Sequence, residues 1–105
     1  MENISNIQPK EIVPGFFGRF VHGSQATLSL FEIKQGSSLP EHHHVHEQIT
    51  FILEGTLEMT IGGQTYLLTP GTVHVISSNT PHSAFAHTDC KVIDAFSPVR
   101  EDYKF

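Results

Sequence analysis

The sequence predicts an all-β fold, a sandwich or barrel of short strands. Three observations carry this prediction. Apolar and polar residues alternate in short runs along most of the chain, the pattern of a half-buried strand. Clusters of Gly, Pro, Asn and Ser interrupt these runs at regular spacing. No stretch sustains the 3.6-residue apolar period with which a helix buries one face. The 105 residues fit one domain by size, and a chain of this length encloses a real but thin core.

The elements follow in order. Residues 1–13 are polar with a few aliphatics (Ile4, Ile7, Ile12, Val13) and read as an extended arm or an added edge strand, ahead of a domain over residues 14–105. Strands are expected over residues 16–21 and 26–34; in the second, Leu28, Leu30 and Glu32 share one parity. Gln35-Gly36-Ser37-Ser38 is a turn, and further strands are expected over residues 39–44, 48–53, 56–61, 64–68, 72–76, 82–87 and 91–96. The breakers between them are Glu54-Gly55, Gly62-Gly63, Pro70-Gly71 and the polar run from Ser77 to Pro81. Gly62-Gly63 is a two-residue hairpin signal, because glycine accepts the positive φ that such turns need.

Composition narrows the function. Six basic residues against eleven acidic ones, a net charge of −5, leave no basic footprint for a nucleic acid. The single cysteine, Cys90, excludes an internal disulfide and fits a reducing compartment. The first residues, Met-Glu-Asn-Ile-Ser-Asn, lack the basic and apolar regions of a signal peptide. No apolar run reaches the roughly 18 residues of a membrane span. The expectation is a cytoplasmic protein that engages neither nucleic acid nor membrane.

The chemistry concentrates in His42-His43-His44-Val45-His46-Glu47-Gln48. Neutral imidazole is the commonest metal ligand. In an extended strand His42 and His44 share one face while His43 points to the other. Two neighbouring imidazoles on one face can chelate one ion without bending the chain. The competing interpretation is a solvated His-rich tract that binds metal loosely.

The register of this tract resembles the cupin superfamily. Gly36, five residues, His42-x-His44, three residues, Gln48, six residues, Gly55 is similar to the first cupin motif, with Gln48 where that motif has Glu. Gly71, Ser77, Asn79, His82 and Ala86 fall where the second motif has Gly, Pro, Gly, His and Asn, so its histidine is in register and three positions depart. The resemblance implies a double-stranded β-helix, or jelly roll, with one divalent transition metal ion (Zn, Ni, Mn or Fe) held by His42, His44, Gln48 and His82. Three neutral imidazoles and a neutral amide would leave the ion's charge uncompensated and favour an anionic ligand. His43 is expected at the surface or an interface, His46 at the entrance, His74 facing the barrel without ligating, and His22 and His87 structural or exposed.

The chain closes with Asp94-Ala95-Phe96-Ser97-Pro98-Val99-Arg100-Glu101-Asp102-Tyr103. Asp94 and Phe96 lie about 7 Å apart on one strand face. An inward acid is costly unless used or paired, so Asp94 either pairs with a base such as Arg100 or does chemistry. This ending, joined to the His-x-His-x3-Gln motif, resembles the KdgF family of pectin-degradation proteins. The resemblance implies ring opening and tautomerisation of 4,5-unsaturated uronates to linear keto sugars, with Asp94, Phe96 and Arg100 as functional residues. It also implies a small anionic, sugar-like substrate and a homodimer, with residues 1–13 and the Phe16, Phe17 and Phe20 strand as self-complementary surface. Two other functions compete: a metal-dependent cupin dioxygenase, and a non-catalytic module that binds a sugar or small acid.

Overall fold

A computed structural model describes residues 1–105. It contains ten strands: β1 (Lys10–Val13), β2 (Phe16–His22), β3 (Thr27–Ile33), β4 (Ser38–His42), β5 (Glu47–Glu54), β6 (Leu57–Ile61), β7 (Gln64–Leu68), β8 (Val73–Ile76), β9 (His82–Ala86) and β10 (Cys90–Ser97). Short 3-10 turns occupy Ile4–Asn6 and Glu101–Tyr103. No helix is long and apolar enough to cross a membrane.

Every strand pairing is antiparallel. One sheet has the order β1-β2-β3-β10-β5-β8 and the other β4-β9-β6-β7. The two sheets close on each other as a jelly roll. Alternation decides which side chains enter: Thr27, Ser29, Phe31 and Ile33 of β3 are buried, and so are Leu57, Met59 and Ile61 of β6. The intervening Leu28 is 45% exposed. The two glycines join β6 to β7 with Ile61 opposite Gln64, as a two-residue hairpin requires.

The interior has two regions. Most of it is an apolar core that includes Phe16, Phe31, Ile52, Leu57, Met59, Ile76 and Val92. Near one end the buried residues turn polar: Thr27, Ser29, Gln48, Thr50, His82, Asp94 and Arg100. Register places these together. Ser29, Asp94, Thr50 and His74 are aligned across β3, β10, β5 and β8, and Thr27, Phe96, Gln48 and Ile76 form the adjacent row.

Two expectations need correction. Phe16 is 3% exposed and belongs to the core, and Phe20 packs partly buried against it, so of the three aromatics only half-buried Phe17 is turned to the outer face. The reason is the partner strand β3, whose inward Phe31 meets the Phe20 ring edge-on at 5.6 Å between centroids. The second correction is that β4 ends at His42, so His44 lies in the following loop. Residues 10–13 form an edge strand against β2.

Candidate metal centre

His42 closes β4 directly opposite His82, which opens β9, with ring centroids 4.2 Å apart. His44 reaches the same place from the loop, its ring 5.0 Å from that of His82. One ring nitrogen from each of the three histidines lies within 4.8 Å of the others, a spacing that a single metal ion can bridge. The loop is held by long-range bonds: the Asn79 N–H donates to His44 O at 2.8 Å, and Ser78 Oγ donates to Val45 O at 2.6 Å. The shared face predicted from strand alternation therefore exists, but loop geometry creates it for His44.

The second nitrogen of each ring is committed to backbone. Nδ1 of His42 lies 2.9 Å from Pro40 O, that of His44 3.0 Å from His46 O, and that of His82 2.8 Å from Thr80 O. A carbonyl only accepts, so each Nδ1 carries the hydrogen, and in the neutral ring Nε2 keeps a lone pair. This arrangement orients metal-binding imidazoles and fixes their tautomer. His82 Nε2 is buried with no hydrogen-bond partner, an arrangement that typically costs about 1–3 kcal/mol.

Gln48 adds a second mismatch of the same kind. Its Nε2 donates to Thr50 Oγ1 at 3.0 Å and to Asp94 Oδ1 at 3.2 Å. Its Oε1 is thereby turned toward His44 Nε2, 3.2 Å away. Burial above all, then the Arg100 and His82 charges, hold His44 down at about 4, so the ring is neutral near pH 7. The contact sets one acceptor against another, and a cation between them relieves it. Burial also lowers the pKa of His82, opposed by its hydrogen bond with Thr80. Three imidazole nitrogens and one amide oxygen fit a divalent Zn, Ni, Mn or Fe ion.

Asp94, Phe96 and Arg100 line the same cavity as His42, Gln48 and His82. All three are at most 7% exposed. Thr50 Oγ1 donates to Asp94 Oδ1 at 2.7 Å. Burial pushes the Asp94 carboxyl up to about 6, against the hydrogen bonds from Thr50 and Gln48 and the charge of Arg100. Arg100 forms no salt bridge with Asp94. Its Nε donates to Asp102 Oδ1 at 3.0 Å and its Nη2 to Asp102 Oδ2 at 2.8 Å. Its guanidinium carbon lies 3.9 Å from the Tyr103 ring centroid and 4.7 Å from that of Phe96.

The other histidines separate by environment. His43 is exposed. The His46 ring lies 5.4 Å from that of His44 and its Nε2 is 3.3 Å from Val99 O, which ties the loop after β4 to the C-terminal segment. His74 packs on Tyr66 at 4.7 Å, away from the three-histidine cluster. His22 bonds Thr27 and Tyr103 O, and exposed His87 pairs with Glu58. Thr50, Asp102 and Tyr103 join the site without having been singled out from the sequence. Thr50 follows Gln48 by two on an inward parity, a signal that alternation already contained.

A cupin-domain family model matches residues 29–96. The pectin degradation protein KdgF of Dickeya dadantii (strain 3937) is 32% identical over 65 residues, which cover 61% of this chain and 59% of that protein. The structure of KdgF from Halomonas sp. superposes with a TM-score of 0.87 at 29% identity, covering 93% of this chain and 92% of that one. Quercetin 2,3-dioxygenase of Bacillus subtilis (strain 168) is 36% identical over 96 residues, covering 71% of this chain and 28% of that protein. The chain thus spans less than two thirds of the length of these two curated relatives.

Proposed function

The chain belongs to the cupin-domain family, and on that premise we propose that it is a metal-dependent cupin promoting ring opening and tautomerisation of 4,5-unsaturated uronates to linear keto sugars. The observation that carries this reading is one cavity shared by a buried acid, Asp94, a buried cation, Arg100, and two members of the histidine cluster, His42 and His82. The similarity to the two KdgF proteins supports the substrate class. In this reading residues 14–105 form the barrel and residues 1–13 its N-terminal arm.

His42, His44, His82 and Gln48 would hold the ion, which when bound supplies a positive charge that polarises substrate oxygens. The uronate carboxylate fits Arg100, whose planar guanidinium makes paired hydrogen bonds. Opening the ring breaks the bond between C1 and the ring oxygen. The C1 hydroxyl loses its proton as C1 becomes a carbonyl, and the ring oxygen becomes an enol at C5. A proton delivered to C4 then converts the enol to the C5 ketone, so the reaction is an isomerisation with no oxidant. Asp94 is the group proposed to move that proton. Its raised pKa keeps both protonation states accessible near neutrality. Phe96 walls the site against water.

The test follows the loss of absorbance of 4,5-unsaturated galacturonate with and without the metal-loaded protein. Acceleration is expected; equal rates reject the assignment, and an Asp94→Ala variant with full activity rejects the role of Asp94. The dioxygenase reading draws on the similarity to quercetin 2,3-dioxygenase. It predicts oxygen uptake that stops under anaerobic conditions, whereas the isomerisation is indifferent to oxygen. Saturable sugar binding without turnover would favour a non-catalytic module.

A homodimer remains part of the proposal, with a different surface from Phe16, Phe17 and Phe20. The outward face of the six-stranded sheet carries Val21, Leu28, Ala95, Ile49 and Val75 in register across five strands. This uncharged apolar row is the surface a second copy would cover.

A further inference from the structure

A carboxylate grips Arg100 on one edge. Asp102 takes Nε–H and one hydrogen of Nη2, the side-on mode of an arginine–carboxylate pair, at 3.0 and 2.8 Å. A guanidinium has five donors in a fixed planar fork. The side-on pair therefore leaves the end-on edge, one hydrogen each on Nη1 and Nη2, without a carboxylate. Tyr103 and Phe96 stand against the guanidinium at 3.9 and 4.7 Å, which limits its tilt. Arg100 also anchors through its backbone, whose N–H donates to Thr27 Oγ1 at 2.9 Å.

We propose that Asp102 is a positioning residue that turns Arg100 into an end-on receptor for a substrate carboxylate. This rests on the uronate reading of the site. Asp102 does two things for Arg100. It holds a side chain that otherwise samples many rotamers, so that less conformational freedom is lost when a ligand binds. It also keeps the guanidinium away from Asp94, the other acid that lines this cavity. Direct pairing of Arg100 with Asp94 would consume the cation and the acid together. Because Asp102 neutralises the net charge of Arg100, selectivity for a carboxylate comes from the direction of two hydrogen bonds.

The location of Asp102 makes the proposal testable without threatening the fold. Its side chain is 59% exposed, whereas that of Arg100 is 7% exposed. Asp102→Asn keeps the shape and removes the charge; Asp102→Glu keeps the charge on a longer arm. The experiment titrates metal-loaded wild type and both variants with galacturonate and, separately, galactose by calorimetry. Steady-state kinetics on unsaturated galacturonate and a thermal melt of each variant accompany it. Wild type is expected to prefer galacturonate. Asp102→Asn is expected to lose about tenfold of that preference, the worth of one charge-assisted hydrogen bond. KM should rise more than kcat falls, the melting temperature should hold, and Asp102→Glu should recover part of the preference. A preference unchanged in Asp102→Asn overturns this inference alone. No preference in the wild type overturns the inference together with the uronate reading.

Discussion

Gln48 shows how much of the site depends on a single residue type. Its amide nitrogen serves Thr50 and Asp94 while its oxygen faces His44. A glutamate there would offer the ion a stronger donor but would set a second carboxylate about 3 Å from Asp94, where like charges raise each other's pKa. Gln48→Glu is therefore expected to destabilise the metal-free protein by about 1–3 kcal/mol. Zinc should recover most of that loss; urea unfolding with and without zinc measures both. The two shifted acids and bases of the site also give stability an opposed pH dependence when metal is absent. Folding lowers the His44 pKa to about 4, so its contribution is present above pH 6.5 and lost as pH falls through 4. Folding raises that of Asp94 to about 6, so its contribution is present below 3.8 and lost as pH rises through 6. Asp94→Asn removes the second slope. The metal-free variant should gain stability on going from pH 4 to 6.5 more steeply than wild type, as unfolding midpoints across that range would show.

At the scale of elements, the loop between β8 and β9 explains a departure from the family motif. Asn79 stands where the second cupin motif has glycine, and its φ is 61°. Asparagine is among the few residues other than glycine that adopt this left-handed conformation readily. The substitution keeps the turn that delivers the Asn79 N–H to His44 O. Asn79→Val should cost about 1–3 kcal/mol and Asn79→Gly little, by urea denaturation. Strand limits were legible wherever alternation and a turn signal agreed, as in the β6–β7 hairpin. They differ at β4, whose predicted extension to residue 44 fails because His44 and Val45 bond to the distant loop at Asn79 and Ser78 instead. No local pattern records a partner more than thirty residues away.

At the scale of the molecule, the proposed metal centre would couple stability to metal. An ion bound only by the folded chain stabilises it by about 2.7 kcal/mol at a free concentration one hundred times Kd. Chelation should lower the melting temperature, and zinc or nickel should restore it. His42→Ala or His82→Ala should abolish the restoration, read by a thermal melt at fixed metal. The outward sheet face belongs to the same scale. Light scattering should give twice the chain mass for the wild type and the single-chain mass for Ile49→Asp, which sets a charge in the middle of the apolar row.

The sequence by itself determined the all-β class, nearly all the strands, and His42, His44, Gln48 and His82 as candidates for one site. The strands are written in local alternation and turn residues and the pairing of His42 with His44 in strand parity, all of which act over a few residues, whereas Gln48 and His82 came from the register of the cupin motifs that the chain resembles. Tertiary structure alone decided that Phe16 turns into the core, that a loop brings His44 to the cluster, and that Arg100 pairs with Asp102 while Asp94 stays with Thr50 and Gln48. These are choices among partners that strand pairing brings together from distant parts of the chain. They depend on register between strands and on which buried polar atoms can satisfy one another.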